Sequence, residues 1–179
     1  MSLPHALLGL INYKPLTGYD LKSLFESSIN MFWNASLPQI YRTLNQMEKS
    51  GWLQSSFELQ EGKPNRRVYQ ITSKGTKVLQ SWLSEPVGFQ QAKNKMMIKV
   101  FFGNHMDRID LINQIKEIRD QESKFLSEYE HEIKNIAKDY AERMEAKDDI
   151  LFWMIAGDYG IRKARMVIEW CDSALDILN

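Results

Sequence analysis

The stretch SLPQIYRTLNQMEKSGWLQSSFELQEGKPNRRVYQI, residues 36–71, decides the fold. Its first half places Ile40, Leu44 and Met47 at helical spacing, which makes one face apolar. The opposite face is read as Gln39, Arg42, Thr43 and Gln46, side chains able to hydrogen-bond base edges or phosphates. Gly51 stands just past the helix end, where a left-handed residue is preferred. Beyond it Phe57 and Leu59, then Tyr69 and Ile71, alternate with polar neighbours, and this predicts two half-buried strands around a Gly62–Asn65 turn. The hairpin tip, EGKPNRR, brings Lys63, Asn65, Arg66 and Arg67 together. A polar helix feeding a cationic hairpin is the order of elements with which a winged helix-turn-helix holds duplex DNA.

The flanking segments complete such a domain. Leu3, Leu7, Leu10 and Ile11 mark a first helix, with Ser2 as its N-cap and Pro4 in its first turn. Lys14-Pro15 ends it. Thr17 and Asp20 have the spacing of a capping box and open a second helix with Leu21, Leu24 and Phe25 inward. Ser36 and Gln39 repeat that pattern at the start of the helix already described. Thr72 caps a fourth, running through Val78, Leu79, Trp82 and Leu83 to Pro86. A connector, PVGFQQAK, follows, so the expected domains are residues 1–88, the winged helix-turn-helix, and 89–179, a helical dimerisation domain.

Charge is distributed to match. The net formal charge is zero, yet residues 1–90 hold 9 Lys and Arg against 6 Asp and Glu, while residues 91–179 hold 14 against 17. Between Gly62 and Ser84 five cations (Lys63, Arg66, Arg67, Lys74, Lys77) occur with no acid, the local bias a polyanion-binding surface needs. A solvated basic face would have the same composition. The longest apolar run, Ile150–Ala156, is seven residues, far short of a membrane span. MSLPHALLGL lacks a basic leader, and the lone Cys171 forms no internal disulfide, so a reducing cytoplasm is expected.

The second half is of another kind. After MMIKVFFG, a helix ended by Gly103, residues 107–147 contain neither proline nor glycine. Apolar residues recur there every three or four positions, among them Phe125, Tyr129, Ile133, Ile136 and Tyr140. The reading is one helix roughly 60 Å long. Asp148 and Asp149 favour a further helix whose opening, ILFWMIA, is apolar on every side and must be buried. Phe125, Tyr129, Ile133, Ile136, Tyr140, Phe152, Trp153, Ile155 and Tyr159 are the expected dimer contacts, with a second copy of the chain as partner.

These residues resemble the PadR family of bacterial transcription regulators over essentially the whole chain. The likeness lies in ALLGLI at 6–11, GYDL at 18–21, QIYRTLNQMEKSGWL at 39–53 and RRVYQITSKG at 66–75. KVFFG at 99–103 and FWMIAGDYGIRKARMVIEW at 152–170 are similar to the C-terminal region of the longer, virulence-activator-like members. The resemblance implies a mainly α fold with a small β-hairpin, acting as a homodimer on a palindromic operator. It places the recognition helix at Ser36–Ser50 and the wing at about Glu58–Ile71. It also puts Tyr41 on the family's helix tyrosine, which commonly faces the DNA backbone. Trp52 stands where the family usually has a smaller aliphatic residue. Some members bind aromatic small molecules, so a small aromatic effector is a further expected partner.

The expected DNA-binding set is Ser36, Gln39, Tyr41, Arg42, Thr43, Gln46, Lys63, Asn65, Arg66 and Arg67. Arg42 suits two phosphates or a guanine edge, the alternative being an exposed helix arginine. Gln39 either reads adenine or completes the cap. Arg66 and Arg67, adjacent on a strand, point to opposite faces; one reaches phosphate and the other covers Tyr69. Trp153, Tyr159 and Trp170 form an aromatic group that suits either helix packing or an effector pocket. Cys171 reads as a buried structural thiol, because no cation flanks it.

Catalysis has no foothold. His5, His105 and His131 are dispersed, and His131-Glu132 misses a zinc-protease motif because position 135 is asparagine. No glycine-rich phosphate loop or Cys/His cluster occurs, so no enzyme, metal or cofactor is expected. The function read from the sequence is DNA-binding regulation, most simply repression. Its rivals are a small-molecule sensor holding aromatic compounds between dimer helices, and an interaction module that has lost DNA binding.

Overall fold

The computed structural model describes residues 3–29, 34–59, 65–88 and 93–178. They form two compact units, Met1–Val87 and Gly88–Asn179. The proposed Ser2 cap, Lys63 and most of the hairpin tip lie outside the described residues.

The first unit is built from α1 (Leu3–Tyr13), β1 (Leu16–Thr17), α2 (Gly18–Ser27), α3 (Leu37–Lys49), β2 (Leu53–Glu58), β3 (Arg66–Ile71) and α4 (Ser73–Ser84). Leu7, Leu8, Leu10 and Ile11 of α1 meet Leu21, Leu24 and Phe25 of α2 and Ile40, Leu44 and Met47 of α3, all buried. This burial of three apolar stripes is the main source of the unit's stability. Caps fix the helix starts. Asp20 N–H donates to Thr17 Oγ1 at 3.1 Å, and the Asp20 carboxylate accepts from Thr17 N–H at 3.0 Å. Gly75 N–H donates to Thr72 Oγ1, and Gly51 adopts φ 72° just beyond α3. The His5 ring stacks on Trp82 with centroids 4.6 Å apart, tying α1 to α4.

The sheet departs from the expected hairpin by one strand. The two-residue β1, directly after the Lys14-Pro15 break, pairs antiparallel with β3, giving the order β1-β3-β2. In the hairpin Leu53 faces Ile71, Ser55 faces Tyr69 and Phe57 faces Arg67. Alternation predicts half-buried Phe57 and Leu59, but they are 70% and 86% exposed. The three-helix core reaches only the base of the hairpin, at Leu53 and Tyr69, and nothing described in the unit covers its far end. Leu83, expected inward on α4, is exposed as well.

The second unit comprises α5 (Lys95–Phe101), α6 (Arg108–Tyr129), α7 (Ile133–Met144) and α8 (Ile150–Leu178). The continuous helix expected over 107–147 is two helices, α6 being 22 residues long. A turn at residues 130–132, where Glu132 N–H donates to Tyr129 O, separates them. No proline or glycine marks the break; packing decides it. The bend sets Ile133 against Gly157 and the Tyr140 ring edge-on to Trp153, with centroids 4.6 Å apart. Arg119 pairs with Asp172 and Glu130 with Arg165, so α6 and α8 run in opposite directions. Leu111, Ile115 and Cys171 form the core between them.

Two sequence expectations change here. Tyr140, expected as a dimer contact, is buried inside its own chain against Trp153. The opening of α8 is covered on one side only: Gly157 is buried, whereas Leu151, Phe152, Ile155 and Tyr159 stay exposed, Phe152 at 63%.

Candidate nucleic-acid interface

The site is the outer face of α3 together with the strands beside it. Ser36 caps α3, and Pro38 sits in the first turn, where no N–H is needed. Gln39 Oε1 accepts from Ser36 N–H at 2.8 Å and from Ser36 Oγ at 3.0 Å. A bidentate reading of adenine needs that oxygen together with the amide nitrogen. In this arrangement Gln39 completes the cap, and the adenine reading requires the cap to open.

Thr43 departs from the expectation of an outer-face residue. It is buried, and its hydroxyl donates to Gln39 O at 2.8 Å. Position 43 is three residues after Ile40 and four before Met47, so it falls within the apolar stripe. The hydroxyl is satisfied by the preceding turn of its own helix.

Arg42, Gln46 and Lys49 are exposed along one line of α3, at i, i+4 and i+7. Tyr41 is exposed beside them, and Gly18 at the start of α2 lies under its ring.

The two arginines of β3 diverge as expected from strand geometry, but each meets a carboxylate. Arg66 lies 3.7 Å from the Asp20 carboxylate, which also accepts from Thr17; it is a loose pair with both side chains partly exposed. Arg67 Nη2 donates to Glu48 Oε2 at 2.5 Å, Nε to Ser55 Oγ at 3.0 Å and Nη1 to Asn45 Oδ1 at 3.4 Å. Its guanidinium carbon stands 5.1 Å from the Tyr69 ring centroid, a cation–π distance. Burial pushes the Tyr69 phenol above its ordinary pKa, and Arg67 opposes that rise. Lys74, a member of the basic run, donates to Ser50 O at 2.9 Å, satisfying a carbonyl at the end of α3. Asn65 is exposed at the start of β3.

Sequence reasoning missed Asn45, Glu48 and Ser55. The one available signal was register: once Ser55 is opposite Tyr69, the Arg67 side chain rises between β2 and α3.

The aromatic group expected in the second half does not assemble. Trp153 packs on Tyr140 and Tyr159 is exposed, while Trp170 lines a cleft near the other end of α8. That cleft, of about 600 Å³, is walled by Met106, Leu111, Ile115 and Ile177, with Asn104 and Arg108 as polar lining. Burial raises the Cys171 thiol pKa, which leaves the thiol protonated and poorly reactive. No helix among the described residues is long and apolar enough to cross a membrane.

Comparison with known proteins agrees with this geometry in both halves. The transcriptional regulator PadR-like family matches residues 7–81, and the virulence activator alpha C-terminal family matches residues 92–179. A probable transcriptional regulator of Mycobacterium tuberculosis is 29% identical, over 100% of this chain and 98% of its own. The Vibrio cholerae virulence activator AphA superposes with TM-score 0.77 at 26% identity, covering 99% of this chain and 98% of its own. Bacillus subtilis PadR in complex with operator DNA shares the fold, with TM-score 0.80, 22% identity and 100% coverage of both chains. The same Bacillus protein in complex with p-coumaric acid gives TM-score 0.70 at 21% identity, covering 99% of each. The chain belongs to the PadR family of transcriptional regulators, in the longer form that carries the virulence-activator C-terminal half.

Proposed function

We propose that this chain is a cytoplasmic DNA-binding repressor that grips a palindromic operator as a homodimer and carries out no catalysis. The observation that carries the reading is the exposed line Arg42, Gln46 and Lys49 on a capped helix, backed by a hairpin whose Phe57 and Leu59 stand clear of the core. Such a helix offers donors to the major groove while the hairpin flanks the phosphate backbone.

The dimer supplies the second helix. Leu151, Phe152, Ile155 and Tyr159 form an apolar strip on α8 that the protomer leaves open, and a second copy is the partner that covers it symmetrically. Two copies so joined would hold their recognition helices about 34 Å apart, one turn of B-DNA, or a multiple of that. Family relationship and structural likeness to PadR support the same reading. A small aromatic effector would be read in the C-terminal half, where the cleft beside Trp170 has the size of a small-molecule site. Sedimentation of the intact chain with and without duplex DNA tests the assembly. Two chains per duplex are expected, and one chain per duplex would refute it.

A further inference from the structure

Among the described residues the outer part of the hairpin has no apolar anchor, since Phe57 and Leu59 face solvent. Its angle to α3 is therefore set by the contacts just above its base. Those contacts converge on one guanidinium. Arg67 spends all three nitrogens inside the protein, on Glu48, Ser55 and Asn45, and lays its plane near Tyr69. Ser55 closes the ring by donating to the other Glu48 oxygen at 2.5 Å. The network links α3 at Asn45 and Glu48, β2 at Ser55, and β3 at Arg67 and Tyr69. Arg66, one residue away, makes one side-chain ion pair among the described residues, at 3.7 Å, and is more exposed.

We propose that Arg67 is a positioning residue that fixes the wing to the recognition helix, and that Arg66 is the wing arginine that reaches phosphate; this rests on the DNA-binding reading above. A phosphate approaching Arg67 would have to displace a carboxylate already held in a charge-assisted hydrogen bond and leave Glu48 without its cation. The same approach to Arg66 displaces only a loose, partly exposed pair, and Asp20 keeps its bonds to Thr17 when Arg66 leaves. Glu48 would also repel phosphate if Arg67 left it, so the pair presents the wing side of α3 as neutral.

Charge-conserving and charge-neutral variants separate a strut from a phosphate contact. Ser55→Ala removes the hydroxyl at the centre of the network and alters no charge; Arg67→Lys keeps the charge and loses the planar fork. Both should weaken binding of the full-length protein to a duplex carrying its selected site by about three- to tenfold, the scale of a single hydrogen bond. The slope of log K against log salt should match the wild type for both. The double variant should bind no worse than Arg67→Lys alone, because both changes break one network. Arg66→Ala should instead flatten the slope, by about 0.9 for each phosphate that is no longer neutralised. Wild-type affinity in Ser55→Ala or in Arg67→Lys would overturn the strut, since a plain phosphate contact survives both changes. A wild-type protein that binds no duplex would overturn the DNA-binding reading and the strut together.

Discussion

Gly18, at the first turn of α2, lies directly beneath the ring of Tyr41 on α3: a Cβ built on Gly18 would stand 2.4 Å from Tyr41 Cε1. The absent side chain lets the Tyr41 ring approach the start of α2 closely. The atom in the way belongs to a ring that is 40% exposed and able to swing aside, so the contact restricts orientation rather than folding. Gly18→Ala should therefore leave the thermal midpoint within a few degrees of wild type and weaken DNA binding. Tyr41→Ala should match it in binding, and the double variant should be no worse than either. Additive losses would show that the two residues act independently.

Substitutions on the two faces of α3 should separate stability from binding. Leu44 is fully buried, and Leu44→Ala should lower unfolding free energy by about 2–5 kcal/mol in denaturant titrations. Arg42→Ala and Gln46→Ala remove exposed side chains and should leave that value within about 0.5 kcal/mol. Each should cost about 1–3 kcal/mol of specific binding. Operator affinity unchanged in Arg42→Ala would place this face outside the groove.

Gly75 tests the join between α4 and the hairpin. Its Cβ would meet the Trp52 carbonyl oxygen at 2.2 Å, and that oxygen already accepts from Thr72 N–H at 3.0 Å. Backbone cannot swing away as a ring can. Gly75→Ala should destabilise the domain by about 1–3 kcal/mol or more despite the better helix propensity of alanine. A melting temperature at or above wild type would contradict this packing.

The fold was legible in the sequence wherever a local rule governed it, and illegible where two distant segments decided. Thr17 and Asp20, Ser36 and Gln39, and Thr72 are readable as caps because the spacing of three residues is itself the geometry. Thr43 misleads because a threonine counts as polar by composition, though its position on the wheel is apolar. The break after Tyr129 has no residue signature, being set by Ile133 against Gly157, which is distant in sequence. Strand alternation alone puts Arg67 over Tyr69, while its bond to Glu48 depends on how the hairpin folds back on α3.

Cys171 should behave as a core residue. With its thiol pKa raised by burial, the neutral form is favoured in the folded chain. The unfolded thiol ionises first, at about pH 8.5, so stability should fall as pH rises beyond that value and be insensitive to this group below it. Alkylation under native conditions should be slow at neutral pH and become fast in denaturant. Rapid native labelling would mean that the α6–α8 core opens more freely than its packing implies.

The open strip on α8 can be altered without touching the protomer's core, because Leu151, Phe152, Ile155 and Tyr159 are exposed. Phe152→Glu with Ile155→Glu should leave the protomer's core intact and convert the dimer to a monomer in sedimentation. Operator affinity should drop as only one half-site is then engaged. A double variant that remains dimeric would move the interface elsewhere.

The proposed reading requires two capped α3 helices to be presented together to duplex DNA. The decisive test is selection of bound fragments from a random duplex pool by the intact chain. Enrichment of an inverted repeat is expected, with half-site centres about 10 base pairs, or a multiple of that, apart. Recovery of no shared sequence, or of a single half-site without its inverted partner, would contradict paired presentation of the helices.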